Sequence, residues 1–317
     1  MSLSAADRRI RSLRPQKSRV DPYRSHGSLL ENERRPGGQI ERAITMFLAG
    51  AECPFTCAFC DLWQWTIDGP TPPGALTKQI DDALSGLDGN RPDRLKLYNA
   101  SNFFDPRAVP EQDLESIGEL AKSFPALTVE SHASTVGART LEFARRFGGR
   151  LEVAMGLETI HPVASHHLNK RLDLARFDQA ARFLVENDID LRVFVLLGAP
   201  YIDSSESVDW TVRSVEHAAA RGASVVSIIP VRGGNGEMER LREQGLFVPP
   251  TLAQLEEALD RCLVFGDCVV TADLWDAARL PACAICSSER IDRLRRLNLS
   301  GRPENAISCG MCGELSP

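Results

Sequence analysis

Apolar and polar positions alternate along the chain on two rhythms. Nearly continuous β-branched or leucine-rich runs fall at 44–49, 94–98, 127–131, 151–155, 191–197 and 224–229, with a weaker seventh at 268–272. Between them, apolar residues recur at helical spacing over 76–87, 111–124, 138–147, 174–187, 204–221 and 252–265. Continuous apolar strands are the mark of parallel sheets covered on both faces, and each amphipathic stretch supplies the cover. Pro110 before Glu111 and Gly222 after Arg221 punctuate two of these helices. The beat predicts an α/β fold, a partial (β/α)6-type barrel in preference to a doubly wound sheet. It also locates the chemistry, because in such folds functional residues gather where strands end and helices begin. On this reading residues 1–40 form a basic N-terminal arm, 41–266 the barrel core, and 267–317 a Cys-rich C-terminal extension that breaks the beat.

Composition narrows the class. The chain has 317 residues, 43% hydrophobic and 25% charged, enough to bury a substantial core and unlike a disordered or disulfide-stapled protein. It lacks an apolar run of the roughly 18 residues that a membrane span requires, and the N-terminus has no secretory apolar region, so a cytoplasmic protein without membrane contact is expected. The formal net charge of −6 disfavours a polyanionic partner globally. Locally, Arg8, Arg9, Arg11, Arg14, Lys17, Arg19 and Arg24 crowd the first 24 residues. A solvated, poorly ordered arm is the plain reading, with contact to nucleic acid or a protein partner as the alternative.

Seven of nine cysteines are clustered. Cys53, Cys57 and Cys60 follow the first barrel strand in C-x3-C-x2-C spacing, with no fourth cysteine or histidine near. Three thiolates can ligate three irons of a [4Fe–4S] cluster and leave the fourth iron open, whereas ferredoxin-type clusters take four cysteines. The alternatives are incidental thiols or a zinc site completed from a distance. Cys283 and Cys286, then Cys309 and Cys312, form two C-x2-C knuckles with 22 residues between them. They suit a structural zinc ion first and an auxiliary iron–sulfur cluster second, with unliganded thiols as the remaining option. Cys262 and Cys268 read as small buried apolar residues.

The triplet, with an aromatic residue (Phe59) before its last cysteine, resembles the radical S-adenosylmethionine (radical SAM) superfamily over about 44–230. The resemblance implies a [4Fe–4S] cluster on Cys53, Cys57 and Cys60, with SAM chelating the open iron. It further implies one-electron cleavage of SAM to a 5′-deoxyadenosyl radical that abstracts hydrogen from an unidentified substrate. An electron donor of flavodoxin or ferredoxin type follows from the same likeness. Turns after successive strands resemble SAM-contacting positions. They are Asn99 and Ser101 (in a turn lacking the glutamate common in the superfamily), Glu130, Ser131, Glu158 and Gly198, with Arg192 and Arg232 as candidates for the SAM carboxylate. The segment 97–110, and 156–159 followed by 168–171, resemble the Elp3-like, MiaB-like and archaeosine-lyase-like branch, many of whose characterised members modify tRNA. Kinship at that level does not select a substrate. RNA-base modification is therefore an alternative, and a non-catalytic iron–sulfur or zinc protein is another. His132, Tyr98 and Tyr201 are further pocket candidates, with packing as the ordinary reading of the tyrosines. His166 and His167 read as a solvated loop, and Asp273 and Asp276 as a helix cap or surface turn.

Overall fold

The computed structural model describes residues 3–87 and 91–312. Eight strands form one sheet in chain order. They are β1 (Gly27–Arg34), β2 (Ile40–Phe47), β3 (Arg94–Tyr98), β4 (Ala126–Glu130), β5 (Arg150–Glu158), β6 (Asp190–Leu197), β7 (Val225–Pro230) and β8 (Val269–Ala272). β1 runs antiparallel to β2, with Leu30 opposite Ile44, and every later neighbour is parallel. The helices are α1 (Ala5–Leu13), α2 (Ala75–Ser85), α3 (Glu111–Ala121), α4 (Ala138–Phe147), α5 (Pro162–His167), α6 (Leu174–Glu186), α7 (Ser207–Ala220), α8 (Glu237–Glu243), α9 (Leu252–Cys262) and α10 (Ser287–Ser300). The result is an open, curled (β/α) barrel carrying a C-terminal cysteine cluster.

Alternation along each strand sorts the residues between two faces. Leu95 and Leu97, Leu127 and Val129, Leu151 and Val153, Val193 and Val195, and Val226 and Ile228 form one buried apolar cluster with Ile80, Ile117, Phe143, Phe177, Val215 and Leu255 of the surrounding helices. The opposite face turns inward and is charged. Glu152 accepts from Arg35 at 2.5 Å, Arg192 at 2.8 Å and Thr128 at 3.0 Å. Arg192 also reaches Glu33 at 2.7 Å, Lys96 reaches Glu31 at 2.9 Å, and Arg94 reaches Glu41 at 2.7 Å. Burial alone would raise these carboxyls, but Arg192 and Arg35 hold Glu152 well below the usual range. Arg192 and Lys96 likewise hold Glu33 at about 2. Buried charges persist only when paired in this way.

Two expected boundaries move. The described part of segment 1–40, residues 3–40, supplies α1 and β1, whose Glu31 and Glu33 face the interior and pair there. The sheet also continues past residue 266 into β8. α10 lies across the opening of the curl and packs on both β1 and β8. The Asn298 amide exchanges two 2.8 Å bonds with the Ala272 backbone, and Arg34 donates to Asn298 O at 3.3 Å.

Candidate active site and metal centres

The cysteine loop leaves β2 at the carboxyl edge of the sheet and is stapled from four directions. Asp7 of α1, fully buried, accepts from the Thr56 hydroxyl, from Asn169 at 3.0 Å and from Arg171. Asn169 also donates to Thr56 O at 2.8 Å. Ala58 N donates to Leu168 O at 2.9 Å. From beyond β7, Asn235 donates to Ala58 O at 2.8 Å and Cys60 O at 3.2 Å. The positive φ of Asn169 (54°) and Arg171 (58°) turns this short segment back onto the loop. Asp7, Asn169, Arg171 and Asn235 were not singled out by the sequence reading, and their partners lie 49 to 177 residues away. The string 168–171 was visible as a motif; its role was not.

Inside the loop, burial pushes all three thiols up, Cys60 to about 12. Neutral, desolvated thiols are groups that metal ligation would deprotonate. Asn102 donates to Cys53 Sγ at 3.5 Å and accepts from His132 N at 2.9 Å, tying the loop to the ends of β3 and β4. The Phe55 ring stacks on His132 with centroids 4.1 Å apart. Burial and the nearby Lys170 charge push His132 down to about 3, so it is neutral and latched to Ser134 and Lys170 O.

Beside Cys53 the turn 99–102 meets Glu130. The backbone N–H groups of Ala100, Asn99 and Ser101 face the Glu130 carboxyl, yet burial prevails and raises it to about 7. Glu130 Oε1, both polar atoms of the Asn99 amide and Ser101 Oγ are buried without a protein partner among the described residues. Unsatisfied groups of this kind are rare, and several side by side mark a place for a polar ligand. Glu130 thus brings a carboxyl from the next strand to the 99–102 turn. These residues fit the amino and hydroxyl groups of SAM, and the Cys53/Cys57/Cys60 thiols beside them fit a cluster.

The other expected contacts stand differently. Ser131 Oγ is paired with Thr135 Oγ1 at 2.6 Å. Glu158, at φ 69°, follows an irregularity in the β5–β6 register and is ion-paired with Lys170, which also donates to Gly156 O at 2.6 Å. Phe59 packs on the small apolar cluster of Leu168, Leu196 and Val231. The space opened by Gly198 (φ 75°) is taken by Pro250, whose Cδ would lie 2.7 Å from an added Cβ. Arg192 belongs to the buried interior ion network, and Arg232, partly exposed, is paired through Nη1 with Asp276. Tyr98 is a half-buried inward residue whose phenol is pushed up by desolvation, and Tyr201 stacks on His167 at 4.8 Å. His166 and His167 lie on α5 rather than in a loop. Asp273 caps the Trp275 N–H at 2.9 Å.

The C-terminal cysteines converge. The sulfurs of Cys283, Cys286, Cys309 and Cys312 all lie within 4.8 Å of one another, with Cys283–Cys309 at 3.9 Å and Cys286–Cys312 at 3.6 Å. Backbone N–H groups of Cys312 and Met311 hold the Cys309 thiol down to about 6. Arg290 donates to Cys286 Sγ at 3.1 Å and to Glu256 at 2.5 Å.

No protein-family model matches the chain. The curated archaeosine synthase subunit beta of Methanosarcina acetivorans is 23% identical over 294 residues, covering 88% of this chain and 85% of that protein. A radical SAM methyltransferase from Sphaerobacter thermophilus superposes with TM-score 0.53 at 14% identity, over 80% of this chain and 78% of that one. The archaeal Elp3 of Methanocaldococcus infernus superposes with TM-score 0.52 at 12% identity, covering 72% of this chain. The match spans 60% of the Elp3 chain. Streptococcus suis SuiB bound to S-adenosylmethionine gives TM-score 0.50 at 11% identity, over 70% of this chain and 45% of that one. With its cysteine triplet at the end of the first parallel strand, the chain has the barrel fold of radical SAM proteins and resembles that superfamily in its motifs.

Proposed function

We propose that the chain is a radical SAM enzyme in which Cys53, Cys57 and Cys60 ligate a [4Fe–4S] cluster and the pocket beside it binds SAM. The observation that carries this reading is the set of unpartnered buried polar atoms on Asn99, Ser101 and Glu130, gathered next to Cys53 at the carboxyl edge of the sheet. When bound and reduced, such a cluster with SAM supplies a 5′-deoxyadenosyl radical, an oxidant strong enough to take hydrogen from an unactivated carbon.

The chain's own contribution is placement. Asp7, Asn169, Arg171 and Asn235 fix the loop before any metal arrives, so little ordering is left for binding to cost. Asn102 orients the Cys53 sulfur. Asn99 and Ser101 offer hydrogen bonds to a polar ligand, and Glu130 can hold or release a proton at its free oxygen near neutral pH. Phe55 on His132, and Arg14 over Trp63 at 4.6 Å, cover the loop against water. Electrons would come from a flavodoxin- or ferredoxin-type donor.

The test is anaerobic reconstitution, strong reduction and incubation with SAM. Formation of 5′-deoxyadenosine and methionine by the native chain, and none by Cys57→Ala, supports the enzyme. Intact SAM with a fully loaded, reduced cluster would favour a non-catalytic metalloprotein.

The relative named as an archaeosine synthase subunit keeps RNA-base modification as a second reading. Of the basic N-terminal residues, Arg9 is already paired with Glu237, Arg11 and Arg14 with Glu52, and Lys17 with Asp68, leaving Arg8, Arg19 and Arg24 as the freer cations. Steep loss of RNA binding with salt would support it, and salt-insensitive or absent binding would count against it.

A further inference from the structure

We infer that Cys283, Cys286, Cys309 and Cys312 bind one tetrahedral zinc ion, not an auxiliary cluster, and that this ion clamps α10 across the open seam between β1 and β8. The inference is independent of the SAM site.

The spacing separates the two metals. Four thiolates on one zinc at about 2.3 Å place their sulfurs about 3.8 Å apart, and no two ligands of one ion can exceed about 4.6 Å. The observed 3.9 and 3.6 Å match that tetrahedron, and the 4.8 Å that bounds all six separations is within a slight contraction of the limit for one ion. In a [4Fe–4S] cluster each thiolate binds its own iron and points away from the others, so the sulfurs must spread further. Between the two divalent ions that accept such an S4 set, zinc binds more tightly than ferrous iron. Four thiolates around Zn2+ carry a net charge of −2, and Arg290 lies against two of the sulfurs, Cys286 at 3.1 Å and Cys312 at 3.7 Å.

The position gives the role. Cys286 is the N-cap residue of α10, so the first knuckle leads directly into the helix. The second knuckle ends the returning strap, which Arg293 binds through Glu304 O at 2.6 Å and Asn305 O at 2.9 Å. Glu256 and Asp260 of α9 pair with Arg290 and Arg293, joining α10 to the barrel's last covering helix. At its other end α10 stops at Gly301 (φ 61°) with the Arg34 guanidinium of β1 packed against it. A cation there suits the helix's negative end. The helix that fills the seam is therefore held by β1 at one end and by the four sulfurs at the other.

Metal analysis of the full chain purified anaerobically should find one zinc per chain, retained in a Cys53→Ala/Cys57→Ala/Cys60→Ala variant that has lost its iron. A Cys309→Ser/Cys312→Ser variant should lose the zinc, keep the iron, and show amide exchange in 287–300 faster by about tenfold or more. Should that variant fail to fold, stripping zinc from the native chain with a chelator gives the same readout. Iron in place of zinc at these cysteines would overturn the assignment. Zinc release that leaves exchange in α10 unchanged would overturn the clamp.

Discussion

Glu130 offers a quantitative test of the pocket. Its carboxyl is raised by burial from an ordinary 4.5 to about 7. Below pH 4.5 the group is protonated whether the chain is folded or not. Between pH 4.5 and 7 the unfolded chain gives up this proton while the folded chain keeps it, so stability falls as pH rises. The loss is about 1.4 kcal/mol per pH unit and levels off above pH 7, for a total of about 3 kcal/mol. Glu130→Gln keeps the shape and removes the titration. Urea unfolding of cluster-free native and variant proteins at pH 5, 6, 7 and 8 isolates the effect, because every other titrating group cancels in the difference. The variant should gain on the native protein with each step up to pH 7 and then hold a constant margin. Parallel stability curves would refute the reasoning, since they would mean that water already reaches the carboxylate.

Other expectations follow from contacts described above. Glu152→Ala strands Arg35 and Arg192 in the interior and should cost about 3–5 kcal/mol, seen as a lower urea midpoint with unchanged slope; a loss below 1 kcal/mol would contradict a dry ionic interior. Asp7→Ala should cost about 2 kcal/mol and lower the iron retained after gel filtration, because Thr56, Asn169 and Arg171 lose their shared acceptor. Full iron occupancy in that variant would remove α1 from the site. Gly156→Ala drives a methyl group into the Glu158–Lys170 pair and should cost about 1–3 kcal/mol and abolish SAM cleavage. An unaffected melting temperature would show that the pair can move aside.

The parallel strands and their covering helices were legible because their apolar faces repeat: β3 and α4 lie at 94–98 and 138–147, as the periodicity has them. β1 was hidden because its inward residues are Glu31 and Glu33, which look solvated until Lys96 and Arg192 are brought opposite them. α10 was masked by arginines that are buried against Glu256 and Asp260. The site divides the same way. The cysteine spacing and Glu130 are local signals, readable at a strand end. The staples on the loop are contacts made only by folding, so nothing local marks Asp7 as their shared acceptor. Gly198 shows the converse: a glycine at the expected turn serves packing against Pro250.

The ion pairs lining the inner face have a consequence for access. Arg35, Arg94, Lys96 and Arg192 balance Glu31, Glu33, Glu41 and Glu152 at the end of the sheet opposite the cysteine loop. A reactant entering from that end would have to part several buried ion pairs, which is costly. On the proposed reading, reactants approach from the carboxyl edge of the sheet, where the cysteine loop and the unpartnered atoms of Asn99, Ser101 and Glu130 lie.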